Sequence, residues 1–162
     1  MALASVSFEI DFTIDNMSRS RKAALSSLGQ RIGLLRTPIS AQDITGCFLA
    51  REKLGSTAIG SGVAAPHTIL TQTCPPLVQV THLKYPVDFE ANDAEPVDVL
   101  LSVVGNRHDL RWLHLALPRF AKLAYDPELA ARLRAAKTAS EVEDILASLG
   151  IYSDRTLPKE AA

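Results

Sequence analysis

The sequence predicts an α/β fold, a mixed β-sheet sandwiched by helices, and three observations carry the prediction. Short apolar segments, alternating with period 2 or unbroken, interleave with segments whose apolar residues recur every three or four positions. A pair of helical segments precedes a glycine-rich stretch, and three more close the chain. No repeat, low-complexity tract or linker-like stretch divides the 162 residues, and 47% hydrophobic content can fill one sizeable core, so a single domain over 1–162 is expected.

In chain order, Phe8, Ile10 and Phe12 alternate with Glu9 and Asp11, as in a short half-buried strand at a sheet edge. From Ser18 or Ser20 a helix is predicted, with Leu25, Leu28, Ile32 and Leu35 on its buried face. Ser40-Ala41-Gln42-Asp43 reads as a capping box with aspartate for the usual glutamate, and Ile44, Phe48 and the stem of Arg51 follow on one side. Leu54-Gly55 should end this second helix, with glycine in the left-handed region, which leaves Arg51 one turn before the end. Val78 and Val80 alternate with their neighbours as in an outer strand, and the apolar run Val97 to Val104 reads as a central one. Between them, Phe89 to Pro96 is turn chemistry. Leu110, Leu113, Leu117 and Phe120 or Ala121 form a stripe starting near Asp109 as N-cap, and Pro118 predicts a kink or break between His114 and itself. Asp126-Pro127-Glu128 opens a fourth helix carrying Leu129 and Leu133. Ser140 to Glu143 opens a fifth with Val142, Ile145, Leu146 and Leu149, and 151–162 reads as a loose tail.

Composition excludes several function classes. Seventeen basic and eighteen acidic side chains nearly cancel, so no global field draws the chain to nucleic acid or a membrane surface. No apolar run approaches the roughly 20 residues of a membrane span, so direct membrane insertion is not expected. Cys47 and Cys74 lack C-x-x-C spacing, no signal peptide is evident, and the four histidines show no ligand spacing. A reduced, cytoplasmic chain with no metal and no cofactor is therefore expected.

The chemistry concentrates in Arg51 to Leu70. Gly55, Gly60 and Gly62 let backbone N–H groups turn inward beside the hydroxyls of Ser56, Thr57 and Ser61, which suits an anion cradle. Pro66 fixes the backbone before His67 and so presents the imidazole at a set angle. Gly60 to Ala65 also fits a relaxed dinucleotide fingerprint, with Asp88 and Glu90 downstream. No buried strand precedes it, however, and Pro66-His67 is a poor continuation for the helix that must receive a pyrophosphate. His82 and Cys74 read as ordinary structural residues.

Arg51-Glu52, Gly55-Ser56-Thr57, Ile59-Gly60, Gly62-Val63-Ala64 and Pro66-His67 together resemble the active-site segment of the enzyme IIA proteins of the bacterial phosphotransferase system. The resemblance is to the fructose, mannitol and nitrogen-regulatory group, and most of all to the nitrogen-regulatory proteins. It extends to the Val97-Asp98 strand and implies the same fold over roughly residues 8–150. It further implies that His67 accepts a phosphoryl group from a histidine-phosphorylated carrier protein. Imidazole suits such a relay, since one nitrogen attacks in line while the other keeps its proton on a carbonyl. Arg51 would offer phosphoryl oxygens a fork of donors, with Thr57 and Ser61 as lesser phosphate-binding candidates. The nitrogen-type wording of the motif, with no transporter or IIB-like domain in this sequence, favours regulation of a target protein whose nature is unknown.

One departure from the pattern supports a rival reading. Relatives carry His-Leu-His after the central strand, and here the segment is Trp112-Leu113-His114. Tryptophan can donate a hydrogen bond but cannot relay a proton, so a binding module without efficient phosphotransfer is the alternative. Two imidazoles compete for the vacated role. His108 lies four residues before Trp112, whereas His114 projects about 200 degrees around a helix from it, which ranks His108 first.

Overall fold

A computed structural model describes residues 7–36, 38–71 and 75–159. Cys74 lies outside them. The elements run β1 (Glu9–Asp15), α1 (Arg21–Leu35), α2 (Ala41–Lys53), β2 (Ala58–Gly60), β3 (Val63–Ala64), β4 (His67–Ile69), β5 (Leu77–Val87), β6 (Val97–Gly105), α3 (Leu110–Phe120), α4 (Pro127–Ala135) and α5 (Ala139–Ser148). The strands form one sheet in the order β1-β5-β6-β3-β2, with β4 also pairing β6. The sheet is mixed: β1 is parallel to β5, β5 antiparallel to β6, and both β3 and β4 are parallel to β6.

Each face of the sheet buries its own apolar set, which makes the fold the predicted sandwich. Val78, Val80, Leu101 and Val103 pack with α3, α4 and α5 through Leu113, Phe120, Leu133 and Ile145. Leu77, Leu100 and Val104 pack with α1 and α2 through Leu25, Leu28, Ile32, Ile44 and Phe48. Because consecutive strand residues face opposite ways, the unbroken apolar run of β6 feeds both cores at once. That is why it is central.

The helix starts follow capping chemistry. Ser20 accepts from the N–H of Ala23 at 3.1 Å, Ser40 from Asp43 at 3.0 Å and Asp126 from Leu129 at 3.0 Å. Helices α1 and α2 approach closely where side chains are small. A β-carbon on Gly29 would lie 2.0 Å from Thr45 Oγ1, and one on Gly33 would lie 3.1 Å from Ala41 Cα.

Several expectations are corrected. β1 is an edge as predicted, but β5 is interior between β1 and β6 rather than outer. Its residues from Leu77 to Thr81 are all buried, because both faces of the sheet are covered there. Pro118 does not break α3, which runs through to Phe120 and tightens only then into a 3-10 turn at Ala121–Ala124. Pro118 withholds one donor, from the carbonyl of His114, and His114 is exposed, where water can take its place. Asp109 holds the N-cap position of α3 as expected, but its side chain does not cap that helix; ahead of it lies a 3-10 turn at Arg107–Asp109, which is capped by Asn106. Its side chain accepts from His108 N–H, while Asp109 reaches back to the N–H of Asn106 at 2.8 Å. α5 opens at Ala139, one residue before the expected Ser140, with Thr138 as its cap. Leu35 is 37% exposed, off the buried face expected for it. As far as it is described, to residue 159, the segment after α5 is pinned rather than loose: Ile151 is buried, and Arg155 bonds Glu143 and Asp144.

Candidate functional site

Arg51 and His67 come from different elements and meet directly. Arg51 sits in the last turn of α2, where its charge suits the helix C-terminus, and His67 opens β4 beside Val103 of β6. Arg51 Nε donates to His67 Nε2 at 3.2 Å, and its Nη1 donates to the carbonyl of Gly55 at 2.8 Å. On the other side of the ring, His67 Nδ1 lies 2.9 Å from the carbonyl oxygen of Ala65. A carbonyl cannot donate and a guanidinium cannot accept, so both contacts hold only if the proton is on Nδ1. Nε2 then carries the lone pair.

The site's electrostatics favour the same neutral ring. Burial of the half-buried imidazole lowers its pKa below the ordinary histidine value, and the Arg51 charge acts in the same direction. The Ala65 carbonyl and the Glu52 carboxylate oppose them and are outweighed.

The loop between α2 and His67 is fastened by Glu52, a residue that sequence reasoning quoted only as part of the motif. Glu52 is buried, and its two oxygens accept from Thr57 N–H at 3.0 Å and Thr57 O–H at 2.8 Å. Thr57 in turn accepts from Ala65 N–H at 2.9 Å. A signal was available in the sequence. A carboxylate in the last turn of a helix opposes the helix dipole and implies a specific partner.

The predicted anion cradle does not assemble. Residues 58–64 form a β2–β3 hairpin with Ser61 at its tip in a left-handed conformation, φ 55°. Gly62 follows with φ 78°, where a β-carbon would lie 3.0 Å from Asp98 Oδ1, so glycine is required there. Gly55, just after the C-cap of α2, has a positive φ of +152°, which only glycine adopts without strain. The hydroxyls have protein partners: Ser56 donates to the carbonyl of Phe89, Thr57 to Glu52, and Ser61 to the carbonyl of Ala124 at 3.2 Å. Ser61 N–H also donates to Asp93 at 2.8 Å, which helps hold that carboxyl below the usual range. Val63 pairs with Val99 and His67 with Val103, which separates them by about 13 Å at ~3.3 Å per residue. Ser61 lies farther still and is no neighbour of His67.

Trp112 is 4% exposed and packs against Phe8, ring centroids 5.4 Å apart, within the core under α3. His108 and His114 are both exposed, and neither is hydrogen-bonded to His67. His108 falls on the 3-10 turn before α3, so the helical spacing that ranked it with Trp112 does not apply. His82 is structural, its Nε2 donating to the carbonyl of Leu133 at 3.0 Å and its ring edge-on to Phe12. Among the described residues no group of three or more His, Cys, Asp or Glu side chains could hold a metal ion, and no helix is long and apolar enough to cross a membrane.

Residues 8–149 match the family described as phosphoenolpyruvate-dependent sugar phosphotransferase system, EIIA 2, and the chain belongs to that family. It is 38% identical over 132 residues to a nitrogen regulatory protein of Bradyrhizobium diazoefficiens, covering 79% of this chain and 83% of that protein. It is 36% identical over 128 residues to a nitrogen regulatory protein of Pseudomonas aeruginosa, covering 78% and 82%. The crystal structure of nitrogen regulatory protein IIA-Ntr from Neisseria meningitidis superposes with a TM-score of 0.73 at 27% identity, covering 85% of this chain and 95% of that one.

Proposed function

We propose that this chain is a regulatory, nitrogen-type phosphotransferase protein that accepts a phosphoryl group on Nε2 of His67 from a histidine-phosphorylated carrier protein. The observation that carries the reading is the ring held between Ala65 and Arg51, with its proton on Nδ1 and its lone pair on Nε2. In the transfer, that lone pair attacks phosphorus as the N–P bond to the carrier's imidazole breaks, and the bonding pair returns to the carrier's ring nitrogen. No proton has to leave His67, because the attacking nitrogen bears none. Arg51 exchanges the lone pair for phosphoryl oxygens as charge arrives, and its Nη2 has no hydrogen-bond partner among the described residues. Arg51 is thus the phosphate ligand in this reading, with Thr57 supporting the loop and Ser61 outside the site. The phosphorylation state of His67 would then set which cytoplasmic target protein is bound.

The experiment is incubation with phosphoenolpyruvate, enzyme I and the carrier protein, followed by intact mass. An acid-labile gain of one phosphate that disappears in His67→Ala supports the proposal. No gain in the wild type favours the second reading, a IIA-like module that binds its target without efficient transfer. That reading has one observation of its own: Trp112 is committed to the core against Phe8, so its position offers no second imidazole.

A further inference from the structure

We propose that Glu52 is a positioning residue for His67, holding the imidazole proton on Nδ1 through Thr57 and Ala65 and so keeping Nε2 as the attacking nitrogen. The inference rests on the phosphoryl-acceptor reading of His67 for its purpose, but its geometry stands without it. Glu52 is 8% exposed, and a carboxylate so buried is tolerated only when hydrogen-bonded. Both of its oxygens are used, and both on one residue, Thr57. The Thr57 carbonyl then takes Ala65 N–H at 2.9 Å, and the Ala65 carbonyl faces His67 Nδ1 at 2.9 Å. Four residues are thereby linked in series from a helix end to the ring.

The tautomer of a neutral histidine is set by the partner of one nitrogen, and here that partner is a backbone carbonyl whose own placement needs an anchor. A charge-assisted bond from a buried carboxylate is a firm one. Arg51 and Glu52 are adjacent in the last turn of α2, so one stretch of helix addresses both ring nitrogens: Arg51 at Nε2 directly, Glu52 at Nδ1 through the loop. The arrangement also accounts for a negative charge placed against the helix dipole.

The test uses the full chain with 15N-labelled histidine, reading the His67 ring nitrogens by long-range proton–nitrogen correlation above pH 8, together with phosphoryl acceptance. The wild type should show protonated Nδ1 and bare Nε2. Glu52→Gln should keep that pattern, because its amide oxygen accepts from Thr57 N–H while its NH2 donates to Thr57 Oγ1. Glu52→Ala should populate the Nε2–H form and slow phosphoryl acceptance by about 10- to 100-fold, the scale of an ångström of misplacement. A folded Glu52→Ala variant with the wild-type tautomer overturns the proposal, as does a Glu52→Gln variant as impaired as Glu52→Ala. If Glu52→Ala does not fold, Glu52→Met, which fills the same space but offers Thr57 no oxygen acceptor, takes its place, and an unchanged tautomer in that folded variant is equally fatal. The ring spectra need no phosphoryl donor, so a wild type that takes no phosphate refutes the proposed function while leaving this inference to its own readout.

Discussion

Two glycines on facing helices should respond to the same substitution with opposite signs. At Gly46, within α2 and exposed, an added β-carbon would meet nothing within 4 Å. Alanine there keeps the helix and removes the conformational entropy penalty of glycine, so Gly46→Ala should stabilise by about 1 kcal/mol. For a chain of this length that is a rise in Tm of roughly 2–4 °C. At Gly29 the same methyl would sit 2.0 Å from Thr45 Oγ1 and 3.0 Å from both Thr45 Cβ and the Thr45 backbone nitrogen. The hydroxyl cannot rotate away freely, since it donates to the carbonyl of Ala41 at 2.8 Å, and the backbone nitrogen cannot move without shifting α2. Overpacking of this kind costs about 1–3 kcal/mol, here toward the upper end, and the helix-propensity gain offsets about 1 kcal/mol of it. Gly29→Ala should therefore destabilise by a net ~1–2 kcal/mol. Urea denaturation followed by circular dichroism measures both, and an unchanged m-value would show that the unfolded reference is common to them. Shifts of the same sign in the two variants would refute the packing argument, because propensity alone predicts stabilisation at each.

The other expectations concern the site. His67→Ala should lose phosphoryl acceptance in the intact-mass assay while its Tm at pH 8 stays within roughly 2 °C of wild type, since a half-buried side chain at the start of a three-residue strand carries little of the core. Arg51→Lys keeps the charge and loses the fork, so single-turnover transfer should slow by about 10-fold or more with the fold intact, and an unchanged rate would remove Arg51 from the phosphate's path. For pH, burial first and the Arg51 charge second hold the folded His67 below its unfolded value of about 6.5, so the unfolded chain takes up this proton before the folded one. Stability should fall as pH drops from that value toward the folded one and level off below it, and His67→Ala should flatten that part of the profile in denaturant titrations.

Local signals made most of the architecture legible. The period-2 run of β1, the three-and-four spacing of α1, α2 and α5, and the Asp126-Pro127 start of α4 depend on nearest neighbours, and so did their reading. Strand order does not. The alternation of β5 suggests an outer strand, because a local pattern cannot say that β1 comes back to pair with it in parallel. At Pro118 the local rule overstates the disruption: α3 is unbroken, and the donor withheld is that of the carbonyl of His114, an exposed residue.

The site divides along the same line. Arg51 and His67 could be named from the motif, whereas their contact joins residues sixteen apart through a helix end and a strand start. The hydroxyls show why composition alone misplaces function. Ser61 and Thr57 lie four residues apart in one glycine-rich segment and looked like equivalent phosphate ligands, yet the hairpin turns the chain between them. One is carried to the tip beside Asp93 and Ala124, and the other is left under the loop that reaches His67. A hydroxyl in such a segment reports only that a polar partner is near. Which partner follows from the turn, and the turn follows from Gly62, whose missing β-carbon lets the chain pass Asp98 and Arg134. Trp112 extends the argument to the second-histidine position, where an indole has been taken into the core with Phe8. A ring that size contributes through the area it buries, so Trp112 helps pack α3 on the sheet. Among the described residues His67 is hydrogen-bonded to one cation and one carbonyl, so in the proposed transfer the arriving charge would be met by Arg51.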